Sequence, residues 1–427
     1  MKNETLKSKW ITILILVFAG EMIFSLPFHV VRVFRPTFLQ VFELTNTELG
    51  DIFAVYGLMA MLAYFPGGTL ADRFSARKLM ALSLFATSLG GLYFAEIPSS
   101  IGLSLLFGFW GITTIFLFWA AMIKATRNWG GQMSQGKAFG LLDGGRGLMA
   151  AVSATLATFI LSSFIPDNIH TNSINEEHAI KMVIYFYSFL TFLASLLVWF
   201  FINDNATSQV KERTNLLLNI KSVLANKLVW LQAIIVISAY STYKGLDYFS
   251  LYAVDVLNMN NIDAAFFMSN SSYIRVIAAI AAGFVVDRFS ASKVIIVLFG
   301  SLIISYTILT SFLPNANTLI IIYANIIITF FAVFGLRGVY FALLQETKTA
   351  SNLTGTAVGL ISVIGYTPDA FFNSITGRIL DANPGIKGHQ NFYFLLIGFS
   401  ILGLLATIIL NYIKKKPQTL EASSHKH

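Results

Sequence analysis

A short polar turn that occurs twice constrains this chain more than any other feature. Gly68-Thr69-Leu70-Ala71-Asp72-Arg73-Phe74-Ser75-Ala76-Arg77-Lys78 returns 215 positions later as Gly283-Phe284-Val285-Val286-Asp287-Arg288-Phe289-Ser290-Ala291-Ser292-Lys293. Each copy lies between long apolar runs and follows the second such run of its half. A charged hairpin repeated at half the chain length marks a duplicated fold, and its apolar flanks place it at a membrane face.

The runs themselves set the class. A membrane helix needs about 20 mostly apolar residues. Twelve runs qualify, near 10–40, 49–71, 79–97, 101–125, 137–164, 181–203, 229–257, 265–286, 293–313, 317–345, 353–380 and 391–413. Of the 427 residues 12% are charged, where a soluble domain carries about 25%. The mean hydropathy of +0.70 points the same way. The expectation is an all-α membrane protein, with twelve transmembrane helices in two pseudo-symmetric six-helix bundles. The N-terminal bundle takes 1–203 and the C-terminal bundle 229–416. A cytoplasmic linker, 204–228, is long enough for a short helix on the membrane, and 417–427 reads as a disordered tail.

Charge placement supplies orientation. Lys2, Lys7, Lys9, Arg73, Arg77, Lys78, Arg127, Lys211, Arg213, Lys221, Arg288, Lys293 and Lys414 fall on one side. Glu43, Glu48, Asp51, Asp167, Glu176, Asp255 and Asp263 fall on the other. By the positive-inside rule both termini and both hairpins are cytoplasmic, in a multi-pass protein of the cell (inner) membrane. The net charge of +8 is thereby read as basic loops, not as a nucleic-acid surface. The first run continues past the length of a signal-peptide core and lacks a small-residue cleavage site, so no cleavable leader is expected. With no cysteine in the chain, disulfides and thiolate chemistry are excluded.

Gly-x-Leu-Ala-Asp-Arg followed by basic residues, between the second and third of twelve spans and echoed after the eighth, resembles the signature loop of the major facilitator superfamily. The resemblance covers the whole chain. It implies a secondary transporter that works by alternating access, with a hairpin clamp gating the cytoplasmic side. Asp72, Arg73, Arg77, Asp287 and Arg288 are the gating candidates, and Asp72 can cap a helix N-terminus. The chain departs from the family pattern at Ser75 and Ala76, where glycine and arginine are common.

Charges inside membrane spans are costly and usually face a cavity or a partner. The first span carries Glu21, His29, Arg32 and Arg35, with Pro27 expected to bend it. The seventh carries Lys244 and Asp247. Arg32 precedes Asp72 by 40 residues and Lys244 precedes Asp287 by 43, so the duplicated halves place one cation each at similar depth. A guanidinium fork and an ammonium suit a phosphate or carboxylate between them. The alternative for Arg32 and Arg35 is snorkelling to headgroups. The seventh span and the segment Leu336 to Asp381 are also similar to the organophosphate:phosphate antiporters of the superfamily. That branch holds phosphate with one arginine in each of the first and seventh helices. Here the first-span counterpart falls near Pro27 or His29, a helical turn from Arg32, and lysine replaces arginine in the seventh.

Tyr240, Tyr243, Trp119 and Tyr366 are expected to shape the pocket with Arg32 and Lys244. Glu21, Asp143, Asp247 and Asp369 are the candidates for proton coupling, each with a structural ion pair as the competing role. Asp143 and Arg146, three residues apart, share a helical face. Asp369 offers a partner to Arg337, and Arg275 is a further polar insertion. Lys124 and Arg127 read as topology charges. No metal cluster, cofactor motif or nucleophile–base set is visible, so a membrane enzyme is not expected. The reading is a monomeric transporter of a small organic anion, phosphate ester or carboxylate, embedded in lipid. Protons or a counter-transported anion are the coupling candidates. A transporter of a cationic or neutral solute, metal complexes included, is the alternative. A transporter-like sensor would carry a larger added domain.

Overall fold

A computed structural model describes residues 6–131, 135–165, 173–203, 216–347 and 351–415, all within or between helices. The expected tail, 417–427, and the first part of the expected linker, 204–215, lie outside the described residues. Helix is the physically required answer for such a sequence. Hydrocarbon offers no hydrogen bonds, so each pass must satisfy its own backbone.

Twelve passes follow one another along the described residues. The first runs through Leu6–Met22, a π-helical turn at Ser25–His29, Val30–Val33 and Arg35–Val41. The second is Asn46–Arg73, the third Ala76–Phe94, and the fourth Ser100–Ile112 with a π-helical stretch at Thr113–Trp119 before Ala120–Gly130. The fifth and sixth are Gln135–Phe164 and Ser173–Phe201. A short helix, Leu216–Ala225, lies within the expected linker. The seventh pass is Lys227–Gly245, a 3₁₀ turn at Leu246–Tyr248, and Phe249–Asp255. The eighth is Asn261–Ser271 with Ile274–Arg288, and the ninth Ala291–Ser311. The tenth is Leu319–Val339 with a 3₁₀ turn at Tyr340–Ala342, and a last helical turn, Leu343–Glu346, follows it. The eleventh is Ser351–Gly365 with Pro368–Ala382, and the twelfth Ile386–Lys415. Among the described residues seven helices are individually long and apolar enough to cross a membrane. Two bent pairs add to them, Lys9–Met22 with Ser25–Val33 at 42° and Asn46–Tyr64 with Pro66–Arg73 at 52°. The expected bend at Pro27 is present, and Pro66 marks a second one. Leu62, Ile101, Phe200 and Ile320 point outward, where lipid covers them.

The packing repeats. The third pass lies on the sixth as the ninth does on the twelfth, and the second on the fourth as the eighth does on the tenth. The first packs on the fifth and sixth, and the seventh on the eleventh and twelfth. Between the halves, the second meets the eleventh and the fifth meets the eighth. These are the contacts that a twofold relation between two bundles requires. The second and eleventh passes cross with backbones touching. A Cβ on Gly57 would fall 2.3 Å from the carbonyl carbon of Asp369, and one on Gly377 would fall 2.3 Å from the Asn46 carbonyl oxygen. Small residues at a helix crossing allow this approach in a membrane.

At the first hairpin Ser75, not Asp72, caps the third pass, its hydroxyl accepting from the Lys78 N–H at 3.2 Å. Asp72 sits exposed in the last turn of the second pass, a turn before the N-cap position it was expected to fill. The other end of that turn is held from the fourth pass, where Lys124 Nζ donates to the carbonyls of Ala71 at 2.6 Å and Phe74 at 3.4 Å. Lys124 thus satisfies helix-terminal carbonyls besides carrying a loop charge. Arg73 and Arg288 are exposed, and the Arg77 guanidinium lies 5.6 Å from the Trp199 ring centre. The side chain of Asp287 lies outside the described residues. At the second hairpin Ser290 makes no side-chain cap. Instead Glu346 accepts from Ser292 N and Oγ at 3.3 and 2.9 Å and from Lys414 Nζ at 2.5 Å.

Candidate functional site

The first, fourth, seventh and tenth passes all carry an irregular turn, and irregular turns in helices concentrate at functional sites. These four passes supply most of the wall of a central cavity of about 90 Å³. Arg32, Trp119, Tyr240, Tyr243, Lys244 and Tyr366, the six residues expected to contact substrate, all line it. Glu21 and Asp369 line it too, while Asp143 and Asp247 reach it through ion pairs.

Buried charges need partners, because an isolated one is too costly to desolvate. Two networks answer that need, and each crosses between the halves. In one, Glu21 of the first pass is the hub. It accepts from Arg146 Nε at 2.9 Å and lies 3.1 Å from His29 Nε2 and 3.3 Å from Arg275 Nη1. Arg275, from the eighth pass, also reaches Asp143 at 3.3 Å. In the other, Asp247 of the seventh pass receives Arg32 Nε from the opposite half and Lys244 Nζ at 3.2 Å. Lys244 bridges onward to Asp369 at 3.4 Å, and Tyr240 donates its hydroxyl to that carboxylate at 2.9 Å. The Lys244 ammonium also lies 4.6 and 5.1 Å from the ring centres of Phe28 and Phe53, so its apolar surroundings are aromatic faces that favour a cation.

Several pairings differ from those the sequence suggested. Arg32 and Lys244 do meet, as the spacing from the two hairpins implied, but with Asp247 between them. Asp143 and Arg146 share a helix face yet each reaches a partner on another pass, Arg275 and Glu21 respectively. Asp369 pairs with Lys244, not with Arg337. Neither Arg32 nor Arg35 snorkels. Arg35 is fully buried, donates from Nε and Nη2 to the Asn46 side-chain oxygen at 3.2 and 3.1 Å, and stacks 4.0 Å from the Tyr248 ring centre. Asn46 in turn donates to Asp381 of the eleventh pass, as does the Thr47 N–H at 2.6 Å, so a carboxylate of one half caps a helix of the other. These bonds join the halves at the end opposite the hairpins.

Arg337 stands apart. It lines the cavity from the tenth pass, 4.0 Å from the centre of the Tyr243 ring. Among the described residues it has no hydrogen bond and no carboxylate within ion-pair distance, and its Nη1 is buried and unpartnered. Tyr243 is shared, because Arg32 Nη1 donates to its hydroxyl at 3.0 Å. Arg337 was visible in the sequence as a lone cation in an apolar run. That it is the one cavity-lining cation among the described residues without an ion-paired carboxylate is a property of the packed helices. Tyr56, Tyr64, Phe24 and Phe28 also line the cavity, and nothing in the sequence separates them from core aromatics.

Two pseudo-symmetric helical bundles enclosing a charged cavity midway along their passes define a multi-pass transporter of the alternating-access kind. Residues 13–372 match the Major Facilitator Superfamily, and the chain belongs to that family. Membership makes it a transport protein rather than an enzyme. The chain is 28% identical over 407 residues to the inner membrane protein YqcE of Escherichia coli (strain K12), covering 93% of each chain. It is 23% identical over 398 residues to the glycerol-3-phosphate transporter of Bacillus subtilis (strain 168), covering 86% of each. Among solved structures it superposes on the nucleoside transporter NupG with a TM-score of 0.72 at 13% identity, over 95% of this chain and 99% of that one.

Proposed function

We propose that the protein moves a small organic anion across the cytoplasmic membrane. Residues 1–203 and 229–416 act as the two rocking bodies, joined by the linker 204–228, with both termini and both hairpins in the cytoplasm. The observation that carries this reading is Arg337. A guanidinium that faces a cavity without a counter-charge attracts an anionic group, and its planar fork suits carboxylate or phosphate. Arg32 and Lys244 flank the same space, and Tyr240, Tyr243, Trp119 and Tyr366 supply its walls. A substrate anion would compete with Asp247 for Arg32 and Lys244. The first of these ion pairs spans the two halves, so competition there loosens one tie between them. Glu21, Asp143, Asp247 and Asp369 are the groups available to carry a coupled proton, exchange for a second anion being the other mode. At the hairpin end, Asp72, Arg73, Arg77, Asp287 and Arg288 are the gating residues of this reading.

Uptake into proteoliposomes, across a panel of phosphate esters and carboxylates, tests the proposal. Lys244→Ala should abolish uptake while the purified protein keeps its elution profile and helicity. Uptake at the unaltered rate would remove Lys244 from the site. The close pairing of the other cations also favours a second reading, a neutral solute held by hydrogen bonds. Ligand-induced thermal stabilisation separates the two, since only an anion site responds to phosphate esters or carboxylates and not to their uncharged parents.

A further inference from the structure

The charge count of the cavity carries a narrower conclusion, which rests on the anion reading. Within the two networks and the cavity wall, the described residues hold the fixed cations Arg32, Arg146, Lys244, Arg275 and Arg337 and the carboxylates Glu21, Asp143, Asp247 and Asp369. His29 adds no charge in this arrangement. Its Nε2 faces Glu21, while its Nδ1 is buried without a partner, and an imidazolium would strand an N–H there. With all four carboxylates ionised, the state that carries no coupled proton, one positive charge is left over, and it is the one on Arg337.

We infer that the site selects anions bearing a single negative charge over dianions, and that Arg337 is the residue that sets this valence. The physical reason is a difference in scaling. Attraction of a ligand to one excess charge grows linearly with ligand charge. The cost of taking the ligand out of water grows with its square. A monoanion leaves the cavity neutral. A dianion leaves it one unit negative, with carboxylates already placed at Glu21 and Asp369 in the same wall. Carboxylates and sulfonates meet this condition at neutral pH. A phosphate monoester, with its second pKa near about 6, meets it only in mildly acid solution.

The test is isothermal titration calorimetry of the full-length protein in lipid nanodiscs at about pH 7.5, with matched bodies of different charge. Glycerate, glycerol 3-phosphate and glycerol form one set, and gluconate, glucose 6-phosphate and glucose the other. In each set the monoanion should bind at least about tenfold tighter than the dianion, and the neutral parent should not bind measurably. Arg337→Gln should cost the monoanion at least about tenfold, and Arg337→Lys, which keeps the charge, should retain the order of preference. A dianion that binds as tightly as its monoanion partner overturns the valence and leaves the anion reading standing. Neutral parents that bind as well as anions, or a panel in which nothing binds, overturn the anion reading and this inference with it. If the monoanion preference holds but Arg337→Gln leaves it intact, Arg337 is not its source. Should Arg337→Gln fail to fold, the wild-type order decides the valence and Arg337→Lys decides the residue.

Discussion

Gly57→Ala should push the protein out of the conformation described here. A Cβ at Gly57 would lie 2.3 Å from the Asp369 carbonyl carbon, 2.4 Å from its oxygen and 2.5 Å from the Ala370 nitrogen. All three are backbone atoms in the first turn of Pro368–Ala382, so no side-chain rotation relieves the contact. An ordinary contact begins near 3.4 Å, which means the second and eleventh passes must separate by about 1 Å. Overpacking of this kind costs roughly 1–3 kcal/mol. The cost falls only on the state in which these two helices touch. It therefore becomes a shift in the equilibrium between states of roughly 5- to 150-fold. The chain has no native cysteine, so spin labels on Glu96→Cys and Lys387→Cys report without background. Both positions are exposed, on opposite bundles, at the end away from the hairpins. Double electron–electron resonance should show a longer-distance population in Gly57→Ala that the parent lacks. Gly300→Ala, where an added Cβ meets nothing within 4 Å, is the control. An unchanged distance distribution in a folded Gly57→Ala protein would refute the claim that this crossing holds the halves together.

The remaining expectations concern the charge networks. Glu21→Gln leaves Arg146, Arg275 and His29 around a neutral amide, and breaking a buried pair on one side costs roughly 3–5 kcal/mol. Its Tm should fall by several degrees, and an unchanged Tm would show that the arginines find other partners. Glu346 lies beyond the apolar span Leu319–Ala342, at the second hairpin. Partial burial raises its carboxyl, but Lys414 and the Ser292 hydroxyl outweigh that and hold the group below the ordinary glutamate range. A carboxylate lowered in the folded state stabilises above its unfolded value of about 4.3, and that stability drains away as pH falls through the folded value. Acid titration of the unfolding midpoint should therefore lose part of its low-pH limb in Glu346→Gln. Identical limbs in the two proteins would place Glu346 outside the acid response.

The sequence alone determined the class, the number of passes and the duplication. Those are local properties. A run of apolar residues long enough to cross hydrocarbon must be helical wherever it sits, and a repeated hairpin is readable letter by letter. Distance from that hairpin also located depth, which is why Arg32 and Lys244 could be matched across the halves before any contact was known. The six residues expected around the cavity are all found on its wall for the same reason, since depth and pass number nearly specify position in a pseudo-symmetric bundle.

Pairing was a different matter, and only the tertiary structure decided it. Asp143 was equally available to Arg146 three residues away and to Arg275 over a hundred residues away. Asp369 could have faced Arg337 as easily as Lys244. Which carboxylate meets which cation depends on rotations of whole helices about their axes and on the breaks at Ser25–His29 and Leu246–Tyr248. Such rotations are set by packing across the bundle, through glycine crossings such as Gly57 on Asp369, and not by any local pattern. The unmatched charge of Arg337 is what remains after all those pairings are made. It belongs to the assembled sum of buried charges, and the sequence contains every term of that sum without saying how the terms cancel.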